Sequence, residues 1–216
     1  MNNTAIKLRK FGVTDIRMFV ERNINGVWEQ VPEELGISDP DEEGKNTWQP
    51  IINYDLFGLL AGVRSEVFLP FTEPRDVPAD LSSKVYEKYK ADDADMHHPS
   101  WISLEELQDV QDTVETVSVW VDMPNYRKYK KLGKNTNRGY DYYLRNPKNV
   151  QVVSNEKMER IMNLSSFLDE NDYWTNVKYQ ISFKEIAKDF WVDMLQAMIK
   201  LGHDPNDVRI VFWFIN

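Results

Sequence analysis

The amino-acid sequence predicts a single α+β domain, in which helices pack on one side of a mostly antiparallel sheet. Three observations support this class. An early stretch alternates apolar and polar residues and contains Asn25-Gly26, a pair that favours the tight turn of a β-hairpin. Ser103 and Ser182 are each followed three residues later by Glu, which is typical of helix N-termini. Residues 208–214 are almost continuously apolar, as in a strand buried on both faces.

The first predicted element is a β-hairpin over residues 16–31. Ile16, Met18 and Val20 recur at every second position, so we expect them on the buried face of the first strand. The Asn-Gly pair then supplies the positive φ angles of the turn. Next comes a stretch near residues 32–46 that is rich in carboxylates, proline and glycine, and it is expected to be a mobile acidic loop.

The middle of the sequence predicts three helices. Residues 54–63 are apolar on more than one face, which indicates a short buried helix. Apolar residues every fourth position near residues 81–89 indicate an amphipathic helix, and the Ser103 motif begins another. Residues 113–123 fit either a strand or the tail of that helix, and the sequence leaves both possibilities open.

The C-terminal third predicts a strand, a helix and a second strand. Residues 177–181 alternate as a half-buried strand does, and Ser182 then begins a helix with one apolar stripe that reaches Leu201. Gly202 ends this helix as a left-handed cap. The strand at residues 208–214 would aggregate at an exposed edge, so we expect it inside the sheet with the helix covering it.

The composition excludes several classes of protein. The 216 residues are 42% hydrophobic and 12% aromatic, which is enough apolar material for a core and argues against intrinsic disorder. The absence of cysteine excludes disulfides, thiolate nucleophiles and cysteine-based zinc sites. No apolar run is long enough for a signal peptide or a membrane span. The sequence therefore predicts no membrane association, a protein that stays where it was made, and no cofactor.

The charge is negative overall but unevenly distributed. A net charge of −9 repels nucleic acid, so a nucleic-acid partner is disfavoured. Residues 125–148, however, contain eight basic residues and one acidic residue. This basic, tyrosine-rich insert therefore carries +7 and leaves −16 on the rest of the chain. Its glycines predict a mobile segment.

The first candidate site combines cationic, polar and aromatic side chains near the Ser103 helix. Two guanidinium groups, an imidazole, a hydroxyl and an indole could hold a phosphate at the helix N-terminus and stack a base. The residues are Arg64, Arg75, His98, Ser100 and Trp101. In the alternative interpretation, Arg75 and His98 only tie loops to backbone carbonyls and Trp101 packs as a hydrophobic contact.

The second candidate site is the basic insert itself. Its tyrosine rings could stack on a base and its cations could attract phosphate, as at Tyr129, Lys130 and Lys131. We therefore expect a lid that steers an anionic ligand into the site and covers it. Alternatively, this segment docks onto the acidic part of its own chain.

A third candidate is a metal site. Asp93, Asp95 and His97 lie close together in sequence but match no defined metal motif, so a solvated acidic loop is the alternative interpretation.

Four stretches resemble a family of tailed-bacteriophage proteins that has no settled activity. They are residues 54–64 (YDLFGLLAGVR), 73–78 (EPRDVP), 97–107 (HHPSWISLEEL) and 207–216 (DVRIVFWFIN). The resemblance covers the frame of the chain but not the basic insert. It implies a phage origin and, with it, a place in the cytoplasm of the bacterial host.

Together these observations favour an accessory binding protein over an enzyme. We expect it to capture a host protein, as an antagonist of host defence would, or a nucleotide-like, phosphate-bearing small molecule. Specificity is expected in Arg64, Arg75, His98 and Trp101. Two alternatives remain. One is a metal-assisted phosphoester hydrolase that uses the third candidate site together with His98, and the other is an acidic decoy of a nucleic-acid-binding host protein.

Overall fold

The computed structural model describes residues 14–31, 53–65, 67–92, 94–133, 151–164, 172–202 and 204–215. These residues form an α+β fold with two sheets, as the sequence predicts. The strands are β1 (Asp15–Ile24), β2 (Val27–Gln30), β3 (Met96–Ser103), β4 (Val114–Asp122), β5 (Gln151–Val152), β6 (Tyr173–Ser182) and β7 (Val208–Ile215). The α-helices are α1 (Tyr54–Ala61), α2 (Ser83–Ala91), α3 (Leu104–Val110), α4 (Met123–Leu132), α5 (Asn155–Leu164), α6 (Phe183–Ile186) and α7 (Leu195–Lys200). The predicted acidic loop near residues 32–46 lies outside the described residues.

The first sheet has the order β2-β1-β7-β3 and is antiparallel throughout. Strand β7 pairs with β1 on one side and with β3 on the other, so both of its edges are hydrogen-bonded. Residues 208–214 are all buried. The prediction that this strand is central is confirmed.

The two faces of β7 belong to different apolar clusters. Ile210 and Phe212 contribute to the main core, which also contains residues of the second sheet. Val211 and Trp213 point to the opposite face, where Val85 of α2 packs against them. Helix α2 is therefore the exception to the predicted one-sided arrangement. It is needed because β7 is apolar on both faces and both must be removed from water.

The predicted hairpin is confirmed. Asn25 and Gly26 have φ angles of 53° and 86°, the two positive values that a type I′ turn requires. Of the other residues of β1, Phe19 and Glu21 are buried as well as the predicted inward-facing set. The alternating pattern predicts that this face of β1 is exposed to water, as it would be if helices packed on one side of the sheet only. Helix α2 covers this face instead.

The helix predicted for residues 182–201 is wrong in its continuity. Helix α6 ends at Ile186, because its C-cap residue, Ala187, has a φ of −132° that is not helical. A π-helical turn at Phe190–Met194 then precedes α7. The indole N–H of Trp191 donates to the Phe183 carbonyl at 2.7 Å, which fixes this irregular connection. The predicted apolar stripe is nevertheless buried in the main core with β7.

The second sheet has the order β4-β6-β5 and settles the open question about residues 113–123. They form strand β4, and the Asp122 carboxylate at its end accepts a hydrogen bond from the Asn125 N–H at 3.0 Å to cap α4. The first part of the predicted mobile insert is thus helical, and Gly133 (φ 70°) is its left-handed C-cap. Residues 134–148 lie outside the described residues.

The remaining predicted helices are confirmed. Asn53 is the N-cap of helix α1, and its side chain accepts hydrogen bonds from the N–H groups of Asp55 and Leu56. Gly62, with φ 67°, is the left-handed C-cap. Helices α3 and α6 begin with capping boxes at Ser103 and Ser182. None of the helices in the described ranges is both long and apolar enough to cross a membrane.

Candidate functional site: a cleft on the second face of the first sheet

Strand register brings five side chains to the face of the first sheet that α2 covers in part. Glu21 of β1 and Ser103 of β3 are both paired with Arg209 of β7, so the three point to the same face. Trp101 lies two residues before Ser103, and Trp28 lies two residues from the β2 partner of Glu21. Side chains alternate along a strand, so both indoles share this face.

An open cleft of about 820 Å³ lies on this face. Strands of the first sheet form its floor, and the loop at residues 75–80, the start of α3 and the turn at Pro205–Asp207 form its walls. Its lining residues are Trp28, Arg75, Val77, Pro78, Ala79, Asp80, Trp101, Ser103, Glu105, Glu106, Asn206 and Arg209. The volume falls within the range of small-ligand pockets.

A buried ion pair supports the floor of the cleft. The Arg209 and Glu21 side chains are only 3% and 0% exposed, and Arg209 Nε donates to Glu21 Oε2 at 2.8 Å. The other Glu21 oxygen accepts the Ser82 N–H at 2.9 Å. Removing one member of such a pair leaves an uncompensated buried charge, so each member fixes the other in place.

Arg209 also holds the wall of the cleft. Its Nη1 donates to Asp80 Oδ1 at 2.8 Å, and its Nη2 donates to the Asp80 carbonyl at 3.2 Å. Partial burial opposes ionisation of the Asp80 carboxyl, but the hydrogen bond from Arg209 and its charge outweigh burial, and the pKa of Asp80 is lowered. Asp80 therefore stays ionised at neutral pH, while its side chain remains 64% exposed at the mouth of the cleft.

The two indoles are held by cation–π contacts. The Arg209 guanidinium lies 3.7 Å from the ring centroid of Trp28 and 5.7 Å from that of Trp101. Arg75 lies 4.1 Å from the Trp101 centroid. The Trp28 indole is also hydrogen-bonded to Asp80. Both rings are thus fixed before any ligand arrives.

Arg75 joins its loop to β3 and α3. Its Nε donates to the Trp101 carbonyl at 3.0 Å, and its Nη2 donates to Glu106 Oε2 at 2.6 Å. Burial opposes ionisation of Glu106, but the hydrogen bonds from Arg75 and from the Ser103 N–H outweigh it and lower the pKa of Glu106. For Arg75, the structure agrees with the alternative interpretation that this residue ties a loop to a carbonyl.

The predicted anion site at the start of α3 is occupied by the chain itself. The Ser103 N–H donates to Glu106 Oε2 at 2.8 Å, and the Glu106 N–H donates to Ser103 Oγ at 3.1 Å. This reciprocal capping uses two of the N–H groups at the start of the helix, those of Ser103 and Glu106. The Glu106 carboxylate also places a negative charge there, which opposes the binding of a phosphate.

The structure separates the residues of the first candidate site. Arg75 and Trp101 line the cleft, and Ser100 lies beneath them, where its Oγ accepts the Arg75 N–H at 3.2 Å. Arg64 is not in the lining; it has φ 57° just after α1, and its Nε donates to Thr14 Oγ1 at 2.6 Å. His98 is exposed at the bulge of β3, with its Nδ1 2.8 Å from that of His97.

The basic insert contributes no lining residue within the described part of the chain. Tyr129 donates its hydroxyl to the Lys178 carbonyl of the second sheet at 3.1 Å, and Lys130 pairs with Glu159 of α5 at 2.7 Å. Lys131 is exposed on the same helix. Helix α4 is anchored on the second sheet, so these three residues do not form a lid over the cleft.

The proposed metal ligands do not converge in the described residues. Asp95 is exposed in the turn that precedes β3, and the His97 ring stacks on Phe214 with centroids 5.8 Å apart. Asp93 lies outside the described residues. In the ranges that the structure describes, no three His, Asp or Glu side chains are grouped to hold a metal ion.

Four important cleft residues were missed from the sequence: Glu21, Trp28, Asp80 and Arg209. One signal was present. Arg209 is the single charged residue in an otherwise apolar strand that was predicted to be central, and a buried charge requires a partner. That partner could not be named, because Glu21 becomes its neighbour only through the pairing of β1 with β7.

Comparisons of the chain with models of protein families, with curated proteins and with solved structures found no match.

Proposed function

We propose that this chain is a binding protein that acts without turnover and holds a segment of a partner protein in the cleft. The observation that carries the proposal is the pair of indoles, Trp28 and Trp101, fixed by arginine contacts on the floor of an open cleft. Rigid tryptophans in a preformed depression are the side chains that most often dominate the binding energy of protein interfaces.

The hydrogen bonds of the arginines favour a polypeptide over a phosphate-bearing ligand. All three guanidinium nitrogens of Arg209 already donate to Glu21 or Asp80. Arg75 uses two of its three side-chain nitrogens on Trp101 and Glu106. At Arg209, a phosphate would have to displace the Glu21 and Asp80 carboxylates and leave them without compensation. A polypeptide can instead contact the indole rings, the backbone groups and the exposed carboxylates of the cleft without breaking these hydrogen bonds.

The lining of the cleft favours binding without chemistry. Its described residues include no histidine, and the one hydroxyl among them, Ser103 Oγ, takes part in the capping box of α3. A serine nucleophile needs an adjacent general base. The described part of the cleft offers only carboxylates that are either paired with arginine or exposed to water.

On the resemblance to tailed-bacteriophage proteins, we expect the partner to be a host protein and the meeting place to be the host cytoplasm. Antagonism of host defence is one function that such capture would serve.

A peptide-display selection tests the proposal. A library of random 12-residue peptides is panned against the wild-type chain, and the enriched peptides are then measured against Trp101→Ala and Trp28→Ala. Trp120→Ala is the matched control, because it removes an indole from β4 of the second sheet. Circular dichroism checks that each variant folds.

We expect enriched peptides that lose affinity for both cleft variants and keep it for Trp120→Ala. If no peptide is enriched, or if the enriched peptides bind all variants equally, the proposal is wrong. A parallel thermal-shift measurement with ATP and AMP tests the small-molecule alternative. If a nucleotide raises the Tm of the wild-type chain but not that of Trp101→Ala, the ligand of the cleft is a nucleotide and not a polypeptide.

A further inference from the structure

The charge of the cleft lining is negative although it contains two arginines. Arg75 and Arg209 face three lining carboxylates, those of Asp80, Glu105 and Glu106. Glu21 adds a fourth negative charge beneath the floor. The chain as a whole carries −9, so the long-range field around the cleft has the same sign as the cleft itself. A cationic group is therefore attracted both at a distance and on contact.

Two carboxylates of the cleft keep hydrogen-bonding capacity for accepting. All three guanidinium nitrogens of Arg209 donate to Glu21 or Asp80, and the Arg209 side chain is only 3% exposed. At the mouth, Asp80 is 64% exposed and Glu105 is exposed at the start of α3. An ionised carboxylate accepts about four hydrogen bonds, so these two groups keep acceptor sites for an incoming donor.

The aromatic floor suits a basic side chain. A guanidinium or ammonium group is bound best where an indole face and a carboxylate meet, because the ring attracts the cation and the carboxylate accepts its N–H groups. The chain shows this arrangement with its own side chains: Arg209 lies 3.7 Å from the Trp28 centroid while donating to Asp80. The volume of about 820 Å³ exceeds a single side chain and accommodates the neighbouring residues of a peptide.

We infer that the cleft recognises a basic side chain, arginine or lysine, of its polypeptide partner, with the cation beside Trp101 or Trp28 and its N–H groups donated to Asp80 and Glu105. This inference rests on the proposed function and specifies the partner: an exposed basic segment of a protein.

Titration with single-residue probes tests this. The probe is N-acetyl-arginine methylamide, followed through the seven tryptophan indole N–H signals in ¹H–¹⁵N NMR spectra. Trp→Phe variants assign these signals. The control probe is the citrulline analogue, which has the same shape as the arginine probe and no charge. AMP represents an anionic ligand.

We expect the arginine probe to shift the Trp28 and Trp101 signals with millimolar affinity, and the citrulline probe to bind at least about tenfold more weakly, as the loss of a charge-assisted contact implies. Glu105→Gln should weaken the arginine probe about two- to fivefold, the range for a rim charge. Glu115→Gln, the same change at an exposed position of β4, should leave the affinity unchanged.

Equal binding of the citrulline probe, shifts at other tryptophans, no shift at all, or a response to AMP alone would each overturn the inference. The two experiments distinguish failure of this inference from failure of the proposed function. If the selected peptides bind the cleft but lack basic residues, the proposal of polypeptide binding stands and the inferred recognition of a basic side chain is wrong. If the arginine probe binds while no peptide is enriched, recognition of a basic group stands and the proposal of polypeptide binding is wrong.

Discussion

Replacing Arg209 by methionine removes the cation from the most deeply buried ion pair of the first sheet. Among the residues that the structure describes, Glu21, which is 0% exposed, then keeps only the Ser82 N–H at 2.9 Å as a partner. Breaking a buried pair from one side typically costs about 3–5 kcal/mol, because a charge stays buried without compensation. We expect a loss of that size in the free energy of unfolding. Methionine replaces the aliphatic part of the Arg209 side chain but is shorter than arginine, so the space left by the guanidinium group adds to this loss.

The double variant Glu21→Leu/Arg209→Met separates the charge effect from packing. Replacing both members of a buried pair with apolar side chains is often neutral or stabilising. We therefore expect the double variant to lose clearly less stability than Arg209→Met alone. Arg17→Met is the matched control in the same sheet, because Arg17 is 40% exposed and its pair with Asp92 spans 3.7 Å. Such an exposed pair contributes at most about 1 kcal/mol.

Urea unfolding followed by circular dichroism and tryptophan fluorescence measures these differences, provided that the slope of the transition is unchanged. A loss below about 1 kcal/mol for Arg209→Met would show that Arg209 and Glu21 do not form a coupled buried pair. The same conclusion would follow if the loss of the double variant equalled the sum of the losses of Arg209→Met and Glu21→Leu measured separately.

Three further changes have defined outcomes. Gly58→Ala should lower the free energy of unfolding by about 1–3 kcal/mol and the Tm with it, because the new Cβ would collide with the Ser65 side chain. Gly26→Ala meets no atom within 4 Å, so thermal unfolding should show only the backbone cost of φ 86°, about 1 kcal/mol. Glu106→Gln tests a pH dependence: the folded pKa of Glu106 is lowered, so its pairing with Arg75 stabilises the fold above the ordinary glutamate pKa of about 4.3 and loses this effect as pH falls below it. The wild-type advantage over Glu106→Gln in urea unfolding should therefore shrink between about pH 5 and pH 3, and an advantage that is constant with pH would contradict this origin.

Local signals in the sequence predicted most of the fold. The Asn25-Gly26 turn and the capping boxes at Ser103 and Ser182 each depend on residues within four positions of one another. The break near Ala187 was not predictable in this way, because a hydrogen bond from Trp191 to a carbonyl eight residues earlier fixes it.

The candidate site was predicted only in part, for the same physical reason. Trp101 is close in sequence to the Ser103 motif, and Arg75 stands out between two prolines, so both residues are predicted from local sequence. Glu21 and Arg209 are 188 residues apart, and only the pairing of β1 with β7 makes them neighbours. Arg64 was grouped with the cleft because it follows a conspicuous apolar run, but its left-handed turn directs it to Thr14 instead.

The affinity of a peptide selected with the wild-type chain, measured by calorimetry against wild type, Trp101→Ala and Trp120→Ala, tests the central claim most directly. Truncation of a hot-spot tryptophan costs about 2 kcal/mol or more, so Trp101→Ala should weaken binding by roughly thirtyfold or more, while Trp120→Ala binds as wild type does. Unchanged affinity for a correctly folded Trp101→Ala would show that the cleft is not where this protein binds its partner.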